Sequence, residues 1–122
     1  LPVGTYRAFE ITGDSMFPIP SGSIVIGQYV EGTHDIKRGY PYILITLNNG
    51  IIFKRVVEVH EHQLLLKSDN PTYRSYSLPL EELQEVWYAK LYISSDLTEP
   101  DNNWHRVEST LEALLEEVRK MK

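Results

Sequence analysis

Two apolar runs of the chain, residues 42–47 and 51–60, are separated by the tripeptide Asn48-Asn49-Gly50. Asn-Gly between apolar runs is the strongest short-range signal for a β-hairpin, because both residues tolerate a positive φ angle. The sequence therefore predicts two strands that pair antiparallel through a tight turn. A fold built around this hairpin is the starting expectation.

Further short β-like runs lie on both sides of the hairpin, and turn residues separate them. Residues 68–71 form another predicted turn, and residues 79–83 have room for one helical turn. The other predicted strands cover residues 6–11, 23–30, 63–68 and 86–94. With 122 residues and no internal repeat, the chain is predicted to form one mainly β domain of antiparallel sheets over residues 1–100.

The C-terminal part of the chain has a different character. Residues 95–105 are polar and rich in turn formers, and residues 107–122 carry apolar side chains at helical spacing. Ser109 and Glu112 fit a capping box at the start of a helix. The sequence predicts a linker and an amphipathic helix within residues 101–122, packed either on its own domain or against a second copy of the chain. The apolar face consists of Leu111, Leu114, Leu115, Val118 and Met121.

Composition narrows the classes of function. The net charge is −5 at pH 7, and a negative domain does not hold a nucleic-acid backbone by itself, since such binding depends on clustered Lys and Arg. No apolar run reaches the ~18 residues needed to span a bilayer, and there is neither a secretion signal nor a cysteine. The expectation is a cytoplasmic protein without membrane contact. The chain begins at Leu1 rather than Met, which suggests a fragment or a processed product, so an upstream part is expected to be missing.

Ser15 lies in a stretch, residues 11–22, that holds two prolines and two glycines. Such backbone constraint around one hydroxyl suggests a nucleophile held in place. A serine hydroxyl attacks only when a nearby base takes its proton and donors stabilise the oxyanion that follows. Gly-Asp-Ser is also a common turn tripeptide, so a partner for the serine has to be found before the motif indicates an enzyme.

Lys54 is the candidate partner of the serine. Strand alternation places Ile52 and Val56 on the same face as Lys54, with Phe53 and Arg55 on the opposite face. A lysine between apolar neighbours is partly desolvated, which disfavours its charged form and lets the amine act as a base. The alternative is that Lys54 and Arg55 are a solvent-facing pair that discourages aggregation.

Histidine is another possible base, and the chain contains His34, His60, His62 and His105. An early Gly-Asp-Ser with Asp101 and His105 is faintly similar to the GDSL-type esterases, but the Asp-to-His gap is one residue too long. The alternating strands and helices of that fold are also missing. His60 and His62 fall on one strand face, where two polar residues at a strand end are expected rather than metal ligands. No metal and no cofactor are expected.

Three motifs occur in order along the chain: "GDSMFPIPSGSIVIG" from Gly13 to Gly27, "NGIIFKRVV" around Lys54, and "KSDNPTY" over residues 67–73. Together they resemble the serine-lysine peptidase domain of LexA, the lambda-type phage repressors and the UmuD proteins. The resemblance implies a LexA-like, signal-peptidase-like β-rich fold. It also implies Ser15 as the nucleophile, Lys54 as the general base and the backbone N–H groups of Asp14 and Ser15 as oxyanion donors. Met16 would point into the core behind the serine.

In that family the usual substrate is a peptide bond of the protein itself, so that a dimerising C-terminal half separates from a DNA-binding N-terminal half. The resemblance thus implies a homodimer that cuts its own linker peptide and reaches DNA through an upstream helix-turn-helix domain. Two alternatives stay open. One is a non-catalytic dimerisation or ligand-sensing domain with a vestigial dyad. The other is a signal-peptidase-type processing enzyme with the same Ser-Lys chemistry.

Overall fold

The computed structural model describes residues 4–94 and 111–116, and its main feature is one sheet of seven strands. The strands are β1 (Tyr6–Glu10), β2 (Ile24–Val30), β3 (Tyr40–Thr46), β4 (Gly50–Val59), β5 (Gln63–Lys67), β6 (Tyr76–Pro79) and β7 (Leu83–Ile93). Their order across the sheet is β1-β2-β7-β3-β4-β5-β6, and every neighbouring pair is antiparallel. The fold class expected from the sequence is confirmed.

The hairpin predicted at Asn48-Asn49-Gly50 joins β3 to β4, and its last pair is Thr46 opposite Gly50. Thr46 Oγ1 accepts a hydrogen bond from the Asn49 N–H at 3.0 Å and donates one to the Gly50 carbonyl at 2.9 Å. Gly50 has a φ of +65°, which side-chain-bearing residues rarely adopt. The turn therefore depends on glycine at this position, and the predicted hairpin is confirmed.

Alternate residues of β3 pack on opposite faces of the sheet, with Tyr42 and Leu44 in one cluster and Ile43 in another. The first cluster consists of Ile36, Tyr42, Leu44, Val56, Leu64, Leu66, Leu78 and Val86. The second consists of Phe9, Ile11, Met16, Val25, Ile43, Phe53 and Trp87. Ile11 and Met16 follow β1 in the chain and belong to no strand. The segment after β1 is thus part of the core.

Strand β4 keeps the alternation predicted around Lys54 as far as Val56. Ile52 and Val56 pack with the first cluster, and Phe53 packs with the second, as predicted. A bulge directly after Val56 then shifts the pairing of β4 with β5 by one residue. As a result Val59 packs with the first cluster again, although strict alternation would place it on the other face.

The sequence does not predict β6, in which Leu78 is the only buried residue and Pro79 is the last. A strand with one buried side chain has no alternation that a sequence reading can detect, and proline disfavours a strand assignment. The helical turn predicted over residues 79–83 is a 3₁₀ turn at Leu80–Glu82, directly before β7.

Residues 111–116 are helical and lie within the helix predicted over residues 107–122. Leu111 packs against Ile24 and Ile26 of β2, so this residue contacts its own domain. A helix contact with a second copy stays a prediction. No helix in the described ranges is long and apolar enough to cross a membrane. Outside those ranges lie the predicted cap at Ser109, the apolar positions Val118 and Met121, and the esterase-like pair Asp101 and His105.

Candidate active site

The serine loop, residues 11–22, connects β1 to β2 and is closed at its base by two backbone hydrogen bonds. The Ile11 N–H donates to the Ser23 carbonyl at 3.0 Å, and the Gly22 N–H donates to the Ile11 carbonyl at 2.8 Å. Gly13 and Gly22 have φ angles of +86° and +91°. Because glycine accepts these angles without strain, the loop can leave and rejoin the sheet at one point.

Two turns and a buried methionine hold Ser15 within this loop. The Phe17 N–H donates to the Asp14 carbonyl at 3.1 Å, and the Ile19 N–H donates to the Met16 carbonyl at 2.9 Å. Met16 is 3% exposed in the second core cluster, as expected for a residue that points into the core behind the serine. Ser15 itself is half-buried, so its hydroxyl lies at the boundary between core and solvent.

Lys54 lies where β4 has a neighbour on one side only, because β5 pairs with β4 from Arg55 onward. The Lys54 side chain is half-buried, and this burial lowers its pKa below the ordinary lysine value. Its Nζ donates a hydrogen bond of 2.9 Å to Ser68 Oγ. The same atom lies 5.6 Å from the centre of the Tyr73 ring. Because of its burial, the amine is easier to deprotonate than that of a solvated lysine.

Ser15 and Lys54 line one pocket of about 200 Å³. Its walls come from the serine loop and the end of β1 on one side and from β4 on the other. Among the residues that the structure describes, no hydrogen bond joins Ser15 Oγ to Lys54 Nζ, which donates to Ser68 instead. The lining residues are Glu10, Ile11, Thr12, Gly13, Ser15, Met16, Ile51, Ile52, Phe53 and Lys54.

Two backbone N–H groups beside the pocket are available to a ligand. Within the described part of the chain, the N–H groups of Asp14 and Ser15 donate to no acceptor, whereas that of Gly13 donates to Ser21 Oγ at 3.0 Å. The Asp14 carboxylate accepts a hydrogen bond from the Tyr73 hydroxyl and thereby raises the Tyr73 pKa. The available pair consists of the two amides that the resemblance names as oxyanion donors.

Arg55, the neighbour of Lys54, anchors the turn that follows β5. Its guanidinium donates two hydrogen bonds of 2.9 Å to the Asp69 carboxylate and one of 2.7 Å to the Gly39 carbonyl. These hydrogen bonds from Arg55 lower the pKa of Asp69. Bidentate pairing of this kind fixes both partners in orientation. Lys54 and Arg55 are both half-buried and hydrogen-bonded to other side chains, so they are not the solvent-facing pair of the alternative.

The sequence assigns no individual role to Ser68, Asn70 and Tyr73, each of which contacts Lys54 or the serine loop. Ser68 is 2% exposed. The Asn70 N–H donates to the Ser15 carbonyl at 2.9 Å. The cluster of turn residues directly after an apolar strand is visible in the sequence and predicts a turn. Nothing in that pattern, however, indicates which other loop the turn contacts.

The histidines considered as alternative bases lie elsewhere, and none of the residues that line the pocket is a histidine. His60 Nε2 is 2.7 Å from Glu58 Oε1, at the end of β4. His34 Nε2 is 3.5 Å from Asp35 Oδ2. Of the lysine and histidine bases considered for Ser15, Lys54 is therefore the one that shares its pocket in the described part of the chain.

Replacement of Ser68 by alanine is expected to lower the pKa of Lys54 further. The Ser68 hydroxyl accepts a hydrogen bond from Nζ, and an acceptor stabilises the charged ammonium, whereas a methyl group does not. The measurement is an NMR pH titration of the Lys54 Cε signal, with Ser75→Ala at an exposed position as the control. An unchanged or raised Lys54 pKa in the Ser68→Ala variant would contradict this expectation.

The antiparallel sheet thus brings a serine and a half-buried lysine to one pocket. The sequence model of a family described as Peptidase S24-like matches residues 3–87, more than half of the chain. The chain belongs to this family, the family of the C-terminal peptidase domains of LexA, UmuD and the phage repressors. No match was found among curated proteins or among solved structures. The resemblance read from the sequence is confirmed.

Proposed function

We propose that this chain is the dimerising, self-cleaving C-terminal domain of a LexA- or phage-repressor-like transcriptional regulator, with Ser15 as the nucleophile and Lys54 as the general base. The observation that carries the proposal is the pocket that both side chains line. Membership of the Peptidase S24-like family supports it independently. The substrate is a linker peptide bond of the longer protein to which the domain belongs.

In the proposed reaction, Ser15 Oγ attacks the carbonyl carbon of the scissile peptide while the neutral Lys54 amine takes the hydroxyl proton. The proton passes to the leaving amine as the C–N bond breaks, and water then hydrolyses the ester formed on Ser15. A neutral amine has two N–H donors and one lone pair. With one N–H directed to Ser68 Oγ at 2.9 Å, the lone pair remains for the Ser15 proton.

The oxygen of the attacked carbonyl becomes negative in this step and needs donors. The N–H groups of Asp14 and Ser15 fit this role because they belong to the two successive peptide groups before the Ser15 Cα atom and have no acceptor within the described residues. Neither donor is a side chain, so substitution of the Asp14 carboxylate would leave both N–H groups in the backbone.

The proposal also includes a homodimer and a helix-turn-helix domain that binds operator DNA outside this chain. The net charge of −5 supports the second part, because a negative domain leaves the phosphate contacts to another region of the protein. The homodimer is supported by the family alone, and we assign no surface of the sheet to the dimer contact.

A fluorophosphonate tests the dyad on this chain without knowledge of the scissile bond. In the labelling step the Ser15 O–P bond forms, the P–F bond breaks to release fluoride, and Lys54 takes the hydroxyl proton. We expect Ser15, located by mass spectrometry, to be labelled at a rate that rises with pH. Because burial lowers the Lys54 pKa, the rise should level off at a lower pH than for a solvated lysine.

Ser15→Ala removes the labelled atom, and Ser75→Ala at an exposed position should be labelled like the wild type. The full-length gene product should cleave itself with the same pH dependence. If folded protein shows no label on Ser15 at any pH, the dyad is vestigial and the chain is a non-catalytic dimerisation domain.

A further inference from the structure

Asn70 binds the carbonyl oxygens of both Asp14 and Ser15. Its side-chain Nδ2 donates to the Asp14 carbonyl at 3.1 Å, and its backbone N–H donates to the Ser15 carbonyl at 2.9 Å. These carbonyls belong to the two peptide groups that flank the Cα atom of Ser15. The serine backbone is therefore held on both sides by one residue from the turn after β5.

Because the peptide group is planar, the hydrogen bond from Asn70 to the Asp14 carbonyl also fixes the direction of the Ser15 N–H. The Asp14 carbonyl and the Ser15 N–H belong to one peptide group, which is trans, so they point in opposite directions. The Phe17 N–H donates to the same carbonyl at 3.1 Å. With that carbonyl directed at Asn70 and Phe17, the Ser15 N–H points away from both.

We propose that Asn70 is a positioning residue for the oxyanion amide of Ser15. The inference rests on the proposed function, because an oxyanion forms only if the Ser15 hydroxyl attacks. Asn70 does not touch the reacting atoms; it acts through the orientation of one peptide group. Preorganised donors stabilise a developing charge because they need no reorientation during the reaction.

The Asn70 side chain is itself fixed in the orientation that this role needs. Its Oδ1 accepts hydrogen bonds from the Thr72 N–H at 3.0 Å and from Thr72 Oγ1 at 2.8 Å, so the amide nitrogen is the atom that faces Asp14. Aspartate at this position could keep both bonds to Thr72. It would, however, place an oxygen against the Asp14 carbonyl and repel it.

The turn that carries Asn70 has anchors besides this side chain and its two bonds to Thr72. Asp69 is paired with Arg55, and the Asn70 carbonyl accepts the Tyr73 N–H at 3.1 Å. Truncation of Asn70 removes its bond to the Asp14 carbonyl and its two bonds to Thr72, and the remaining anchors are expected to keep the turn in place. In the described part of the chain no hydrogen bond joins Lys54 to Asn70, and the Lys54 Nζ donates to Ser68.

The expected effect falls on the chemical step of labelling. Loss of a complete oxyanion donor slows serine enzymes by about 10²–10³-fold, so misdirecting one should slow labelling by about tenfold in Asn70→Ala. Asn70→Asp should be slower than Asn70→Ala, because repulsion is added to the lost bond. The reagent concentration that gives half-maximal rate should stay the same in Asn70→Ala. The pH at which its rate levels off should also stay the same, because the variant leaves Lys54 untouched.

The test compares Asn70→Ala and Asn70→Asp with Asn49→Ala and Asn49→Asp, which make the same chemical changes at an exposed position of the β3–β4 turn. Fluorophosphonate labelling rates are measured over reagent concentration and pH. The backbone amide shift of Ser15 is followed by NMR, and thermal unfolding checks that each variant is folded. If Asn70→Asp does not fold, Asn70→Ala decides. The expected result is a slower maximal rate and a displaced Ser15 amide signal in the Asn70 variants alone.

Rapid labelling of wild type and Asn70→Ala alike would overturn this inference and leave the dyad standing. A slower rate accompanied by a shifted pH midpoint in Asn70→Ala would also overturn it, since it would show an effect through Lys54. Absence of label on wild-type Ser15 would instead overturn the proposed function, and the positioning role with it.

Discussion

Lys54→Met should slow the labelling of Ser15 by about 10²–10⁴-fold, the range that a positioned general base contributes. Methionine is close to lysine in length and is apolar, so it suits a half-buried position on β4 without adding a charge. What it lacks is the lone pair that takes the Ser15 proton in the proposed reaction. The expected rise of the labelling rate with pH should disappear as well, because the proposal attributes that rise to deprotonation of this amine, whose pKa is lowered by burial.

The control for this variant is Lys37→Met, which makes the same change at an exposed position and should be labelled like the wild type. Lys54→Arg should not restore the rate, because a guanidinium stays protonated and cannot act as a base. A labelling rate in Lys54→Met within a few fold of the wild type would show that another group activates Ser15. Thermal unfolding of each variant shows whether it is folded, so that loss of the base can be distinguished from loss of the fold.

The two ends of the proposed dyad could be predicted from the sequence because each has a local signal. Around Ser15 the signal is the concentration of glycine and proline, and two of those glycines do take positive φ angles. Around Lys54 it is the alternation of Ile52 and Val56, which holds in β4. That the two side chains share a pocket follows from the arrangement of the strands, which only the motif resemblance implied.

The supporting residues could not be predicted, since their roles depend on contacts between distant segments. Ser68 and Asn70 are ordinary turn formers and Tyr73 is an aromatic residue beside that turn, yet each contacts the serine loop or Lys54 across the fold. The shift in β4 after Val56 has the same origin. A bulge is set by the pairing partner, so the run of valines gives no warning of it.

Met16→Ala should lower the free energy of unfolding by about 2–5 kcal/mol, the usual range for removing a large apolar side chain from a core. Met16 is 3% exposed and packs with Phe53 and Trp87 in the second cluster. Its Sδ also accepts a hydrogen bond from the Asp69 N–H at 3.4 Å, which ties the serine loop to the turn after β5. Urea unfolding followed by tryptophan fluorescence measures the change.

Met16→Leu is the matched control, because it keeps the volume while removing the sulfur acceptor, and volume-conserving changes cost less than about 1.5 kcal/mol. If the core anchors the neighbouring serine, Met16→Ala should also slow the labelling of Ser15 under conditions where the variant is fully folded. Met16→Leu should preserve most of that rate. A Met16→Ala variant that loses less than about 1 kcal/mol would show that the serine loop is held by its own turns and by Asn70 rather than by the core. Slower labelling at undiminished stability would instead assign Met16 to the orientation of the loop, through its contact with the Asp69 N–H.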